Sequence, residues 1–180
     1  MTFPKPYADK VARYRVPCGF VLLAAFLWMA TPSLESIARG MLISVFGLLI
    51  RAWAAGHLEK NMTLAEGGPY AWVRNPLYVG TLTTAAGFVI ASRRWELAVL
   101  FAAVFVLVYL PVVELEEQHL SNLFPSFADY KRRVPKLIPR MPHKPNDKPF
   151  QWSIYLRNEE YKALAGSAIG LAVLLWKATH

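Results

Sequence analysis

The chain has 180 residues, 55% of them apolar and 18% charged, against roughly 25% charged in soluble domains. Mean hydropathy is +0.28. These values exclude a disordered chain and an ordinary soluble domain, and point to one membrane-embedded domain. Lys and Arg number 20 against 12 Asp and Glu, a formal charge of +8. The basic residues lie between apolar blocks, not on one amphipathic face. Anionic lipids are therefore the expected partner, and nucleic acid is not. One cysteine, Cys18, rules out an intrachain disulfide or cysteine zinc site. His57, His119, His143 and His180 show no metal-ligand spacing, so no metal is expected.

Five apolar blocks follow along the chain, at 16–30, 40–56, 77–91, 95–113 and 163–176. A helix rises about 1.5 Å per residue, so a hydrocarbon core of roughly 30 Å asks for about 20 residues. Only the fourth block approaches that length, and the others must recruit flanking residues. The first block ends in Trp28-Met29-Ala30-Thr31-Pro32, a poor cleavage site, and is read as a retained helix. The sequence thus predicts an all-α integral membrane bundle of about five transmembrane helices in a single domain. Its parts are an N-terminal hairpin (1–57), a core (58–140), a linker (141–160) and a C-terminal transmembrane helix (161–180). Short turns predict hairpins of helices one with two and three with four.

Basic residues set the orientation. With the N-terminus inside, only Arg39, Arg93 and Arg94 fall on the outer turns. This predicts a bacterial inner-membrane protein with a cytoplasmic N-terminus, an outer C-terminus and its polar loops in the cytoplasm. Over 114–133, Leu120, Leu123, Phe124, Phe127 and Tyr130 recur at three- and four-residue steps. That pattern reads as an amphipathic helix, kinked or restarted at Pro125. Pro135, Pro139, Pro142, Pro145 and Pro149 mark an extended linker.

Two segments carry chemistry. The first, from Gly67 to Gly80, leads into the third helix and contains Gly68, Pro69, Tyr70, Trp72, Arg74, Asn75, Pro76 and Tyr78. Glycine permits unusual backbone angles and close approach of a ligand. Pro76 suits a first helical turn, whose free N–H groups attract an anion. Arg74 adds positive charge, and the aromatics offer surfaces for a ring or a cation. A capped helix start with an interfacial aromatic belt is the alternative. The second segment is Glu114-Leu115-Glu116-Glu117-Gln118-His119-Leu120. Its three carboxylates are costly at a helix C-terminus, and read either as anchors for a cation or hydroxyl donors or as a solvated helix end. Arg51, near the inner end of the second block, is a catalytic or headgroup-binding candidate, with snorkelling as the alternative. His57, Lys60 and Asn61 follow it in the same loop. Gly166-x-x-x-Gly170 offers a homodimer face, or a seam for packing within the bundle.

The two segments together resemble the isoprenylcysteine carboxyl methyltransferase and phospholipid methyltransferase family. The match lies in Gly68-Pro69-Tyr70 with Arg74-Asn75-Pro76-x-Tyr78-x-Gly80, and in Glu116-Glu117-x-x-Leu120-x-x-x-Phe124 with Tyr130, Val134 and Pro139. It covers about residues 58–140. Asn75 stands where eukaryotic prenylcysteine enzymes have His, and Pro125 and Phe127 replace a common Gly and Tyr. The resemblance implies S-adenosyl-L-methionine held at the cytoplasmic face by Gly68, Pro69, Tyr70, Arg74, Asn75, Pro76, Tyr78, Gly80, Glu116, Glu117 and Leu120. It also implies methyl transfer to a lipophilic acceptor in the bilayer. An amine acceptor would need a base, for which Glu117 or His119 would serve, whereas a carboxylate would need none. The competing readings are an NADPH-dependent sterol-type reductase and a non-catalytic membrane module.

Overall fold

The computed structural model describes residues 3–142 and 149–180, and among these every regular element is helical. The helices are α1 (Lys5–Met29), α2 (Leu34–Ala55), α3 (Pro76–Ser92), α4 (Trp95–Leu123), α5 (Phe127–Arg133), α6 (Trp152–Arg157) and α7 (Tyr161–Thr179). The all-α membrane bundle expected from the sequence is present. Four of its helices, α1, α2, α4 and α7, are long and apolar enough to cross a membrane. The fifth apolar helix, α3, has 17 residues. At about 1.5 Å per residue it reaches about 25 Å.

Local chemistry explains the boundaries. Ser33 and Ser36 form a reciprocal capping box at the start of α2. Pro76 opens α3, where its missing N–H is harmless, and Arg93 closes it in the left-handed region at φ 57°. In α4, Pro111 cannot donate to the carbonyl of Leu107. The helix widens into a π-helical stretch at Phe105–Tyr109, and the Tyr7 hydroxyl donates to the Leu107 carbonyl at 2.7 Å.

The tightest seam joins α2 to α3 through small residues. A Cβ on Gly47 would lie 2.7 Å from the Gly80 carbonyl, and one on Gly87 would lie 2.6 Å from the Ser44 nitrogen. The Ser44 hydroxyl donates across the seam to the Thr84 carbonyl at 3.0 Å. Small residues let helix backbones approach closely where lipid supplies no hydrophobic drive. Along its length α1 packs chiefly against α4, while Phe26 near its end joins Ile37 and Met41 of α2 in one apolar cluster. The last helix uses its glycines unequally. Gly170 faces the Phe88 ring, whereas Gly166 has no neighbour within 4 Å among the described residues.

The restart expected at Pro125 is present: the membrane helix α4 runs on to Leu123, the chain breaks at Phe124 and Pro125, and the short α5 starts anew. One expectation needs correction, since 141–160 is not a plain linker. Residues 143–148 lie outside the described residues, and the part that follows holds α6 and is tied to the end of α2. There Gln151 N–H donates to the Gly56 carbonyl at 3.0 Å, and the Asn158 amide donates to the carbonyls of Ala55 and Leu58 at 2.8 Å each.

These connections gather the polar segments at one end of the bundle. The other end is closed by a cluster of Ala30, Ile37, Ala91 and Leu174. There Arg94 donates to the Met29 carbonyl at 3.0 Å, and Lys177 donates to that of Leu27 at 2.8 Å.

Candidate functional site

The polar end is built on the loop between α2 and α3. Gly68 adopts φ +55°, and a Cβ there would lie 2.6 Å from the His57 ring, so both backbone and space require glycine. The turn that follows buries Tyr70 to 6% exposure. The Tyr130 hydroxyl donates to the Tyr70 carbonyl at 2.8 Å, clamping the turn to α5. Backbone bonds then strap 72–74 against 135–140: Arg74 N–H to the Pro135 carbonyl at 2.9 Å, and Arg140 N–H to the Trp72 carbonyl at 3.0 Å.

The two sequence segments meet here. Arg74 Nε donates to Glu117 Oε1 at 3.0 Å, and both side chains are under a tenth exposed. The same guanidinium donates to the carbonyls of Lys131 and Val134 at 2.7 and 3.1 Å. The Asn75 amide donates to Glu117 Oε1 at 3.3 Å and to the Lys136 carbonyl at 3.1 Å, and Lys131 Nζ lies 3.7 Å from Glu117 Oε2. A buried, charge-assisted network of this kind fixes geometry more than it leaves a charge to spare. Glu116 differs. Its side chain is 48% exposed, it accepts from the Tyr78 hydroxyl at 3.1 Å, and Arg15 stands 4.0 Å away.

These residues face a cavity of about 960 Å³. That is near the top of the roughly 300–1,000 Å³ range of small-molecule sites. Its walls come from α1 (Ala12, Arg15), α2 (Arg51), α3 (Leu77, Tyr78, Thr81), α4 (from Tyr109 to Leu120), α5 (Phe127, Tyr130), α7 (Lys162, Ala163) and the intervening loops. Tyr109, midway along α4, also lines the cavity and packs edge-on against Tyr78 in the first turn of α3.

Of the residues singled out in the sequence, Arg51, Tyr70, Arg74, Asn75, Tyr78, Glu116, Glu117, His119 and Leu120 all line this cavity. Gly68, Pro69, Pro76 and Gly80 are not among its lining residues. Pro69 and Pro76 are buried. Gly80 touches α2, where a Cβ would lie 2.6 Å from Arg51 Cγ. Lys60 and Asn61 reach the cavity, and Asn61 holds His119 through Oδ1 and Nε2 at 3.2 Å. His57 does not line it. Its ring packs on Gly68 and against Phe150 and Trp53, with Nδ1 at 2.8 Å from the Trp53 carbonyl.

Arg51 is paired within the protein. Its Nε and one terminal nitrogen bind both oxygens of Glu160 at 2.5 and 3.1 Å, and its other terminal nitrogen donates to Thr81. Glu160 and Asn158, both on the cavity wall, are the site residues that sequence reasoning missed. The signal was an arginine in an apolar helix, which calls for a carboxylate, and Glu159-Glu160 stands just before the last apolar block.

The Tyr70 hydroxyl is buried and has no hydrogen-bond partner among the described residues. Burial, followed by the neighbouring Tyr130, Glu116 and Glu160, raises its pKa well above the ordinary phenol value. Burial likewise raises that of Tyr130. Both are neutral phenols at physiological pH. Among the described residues no group of three or more His, Cys, Asp or Glu is placed to hold a metal ion.

Fold and site together define an integral membrane protein with a cavity at the polar end of its helical bundle, lined by polar and apolar residues alike. The chain belongs to the phospholipid methyltransferase family, whose model matches residues 15–126. It is 33% identical to a cobalt-zinc-cadmium resistance protein of Cupriavidus metallidurans, over 73% of this chain and 64% of that protein. It is 32% identical to a nickel-cobalt-cadmium resistance protein of Alcaligenes xylosoxydans xylosoxydans, over 77% and 70%. It is 26% identical to the protein-S-isoprenylcysteine O-methyltransferase of Schizosaccharomyces pombe, over 77% and 61%. The match therefore spans less than two thirds of the first and third relatives. No solved structure matches the chain.

Proposed function

We propose that this protein transfers a methyl group from S-adenosyl-L-methionine to a lipophilic acceptor drawn from the bilayer. The observation that carries this reading is the meeting of two segments, some 40 residues apart in sequence, on one cavity wall through the 3.0 Å bond from Arg74 to Glu117. Membership of a methyltransferase family supports it.

The residues fit the cofactor. Glu116 offers a half-exposed carboxylate to an ammonium or to ribose hydroxyls. The orphaned Tyr70 hydroxyl offers a hydrogen bond, and the rings of Tyr78 and Tyr109 offer surfaces for adenine or a sulfonium. Arg15 and Lys60 supply positive charge for a carboxylate. When bound, S-adenosyl-L-methionine supplies an electrophilic methyl group on a cationic sulfur. The chain's own part is alignment and exclusion of water. Glu117, taken up by Arg74, Asn75 and Lys131, acts by pinning the loop before α3 to α4. His119, exposed at the cavity wall, serves as a base where the acceptor is an amine, and a carboxylate acceptor needs none. The cavity mouth faces the cytoplasm, and the basic residues of α5 meet anionic lipid headgroups.

The test is transfer of radiolabelled methyl from S-adenosyl-L-methionine by the full chain in lipid nanodiscs. Acceptors are N-acetyl-S-farnesylcysteine, phosphatidylethanolamine and palmitic acid. We expect organic-soluble label with one of them, abolished in Glu116→Ala. A folded protein that labels none of them overturns the proposal.

A further inference from the structure

The family model ends at residue 126, yet Asn158, Glu159, Glu160, Lys162 and Ala163 line the cavity. We propose that residues 158–163 form the acceptor subsite, a wall that touches the polar head of the lipophilic acceptor and is latched in place by the Arg51–Glu160 pair. The name of the ligand rests on the methyl-transfer reading, whereas the subsite is argued from this chain's own contacts.

Three ties hold the wall against the end of α2. The carboxylate of Glu160 grips Arg51 with both oxygens, at 2.5 and 3.1 Å, and Thr81 accepts from the same guanidinium. Neither charged side chain is more than a quarter exposed, so removing one leaves the other buried and uncompensated. The Asn158 amide donates to the carbonyl of Ala55, the last residue of α2, and to that of Leu58 in the loop beyond it. Further back, the Phe150 ring covers Gly56 at a spacing that admits no Cβ. Between these ties Glu159 sits at φ 54°, a left-handed conformation unfavourable for a non-glycine residue. Such strain persists where the surroundings over-determine it, and it clusters at ligand clamps.

The position of the wall points to the acceptor. It lies where polar chain passes into the apolar helix α7, a boundary that matches a polar head on a hydrocarbon tail. Glu116 and Tyr78 belong to other elements, α4 and α3. The orphaned Tyr70 hydroxyl is near enough to both Glu116 and Glu160 for each to raise its pKa. Because Glu160 neutralises Arg51, the acceptor's head meets hydrogen-bonding groups and not a bare buried cation.

The full chain in nanodiscs, photolabelled with a diazirine-bearing farnesylcysteine and mapped by mass spectrometry, tests this. We expect label within 158–163. Adding bulk with Ala163→Trp should cut it by about tenfold. The affinity for S-adenosylhomocysteine should stay within about twofold, as for an independent site. Glu160→Ala should lose the label, and the paired Arg51→Glu, Glu160→Arg variant should recover it. Label confined to other segments, or unchanged in Ala163→Trp, overturns the subsite. Equal labelling in Glu160→Ala overturns the latch. Loss of S-adenosylhomocysteine binding by the unmodified chain would instead sink the methyl-transfer reading, and the labelling map would still decide the subsite.

Discussion

Glu114, Glu116 and Glu117 stand within four positions of one helix and meet three environments. Glu114 lies 3.4 Å from Lys136 Nζ and accepts from the Phe3 N–H at 3.3 Å. Glu117 is buried among Arg74, Asn75 and Lys131, and Glu116 faces the cavity. Breaking one partner of a buried pair costs about 3–5 kcal/mol, so Glu117→Ala should lower the thermal unfolding midpoint in detergent severely. Glu116→Gln should change stability by no more than about 0.5 kcal/mol, as expected of an exposed position. A charged hydrogen bond is worth about 1.5–3 kcal/mol, so the same variant should weaken S-adenosylhomocysteine binding by about tenfold or more. If Glu116→Gln unfolds as early as Glu117→Ala, the division of roles is wrong. The sequence reveals three costly carboxylates at a helix end. It does not reveal which one is spent, because the partners of Glu117 arrive from loops more than 40 residues before it and from α5 after it.

Among the elements, the seam of α2 and α3 was the least legible. The sequence reading fixed on Gly166 and Gly170, four apart. The seam runs through Gly40, Ser44 and Gly47 against Gly80, Thr84, Gly87 and Ala91, where steps of four and three alternate and hydroxyl residues stand among the glycines. Overpacking costs about 1–3 kcal/mol, so Gly47→Leu or Gly87→Leu should lower the unfolding midpoint measurably. Gly166→Leu should not, since open space surrounds that position. An equal loss in all three would contradict the assignment. Elsewhere the apolar blocks gave the helices directly, and Pro125 marked the break before α5. The prolines read as an extended linker, and α6 escapes notice because a six-residue helix has too few turns to show periodicity. Pro111 lies inside the fourth apolar block, which reads in the sequence as one uninterrupted helix. The Tyr7 hydroxyl that donates to the Leu107 carbonyl there lies 100 residues away, and Tyr7→Phe should cost about 1 kcal/mol in the same assay.

At the scale of the molecule, chain direction puts the start of α1, the ends of α2 and α4 and the starts of α3 and α7 around one cavity, with the turns at 30–33 and 93–94 opposite. Arg94, which counted against the charge rule, is spent on the Met29 carbonyl. In a Cys18→Ser background, Met62→Cys should react with an impermeant maleimide only from the cytoplasmic side, and Thr31→Cys only from outside. The reverse pattern would invert the orientation. Calorimetry of the purified full chain with S-adenosylhomocysteine, with NADPH as the competing ligand, decides whether the cavity takes S-adenosyl-L-methionine as proposed. Saturable binding of S-adenosylhomocysteine that weakens in Glu116→Gln, and no binding of NADPH, is the expected result. A folded sample that binds NADPH and not S-adenosylhomocysteine would overturn the proposal.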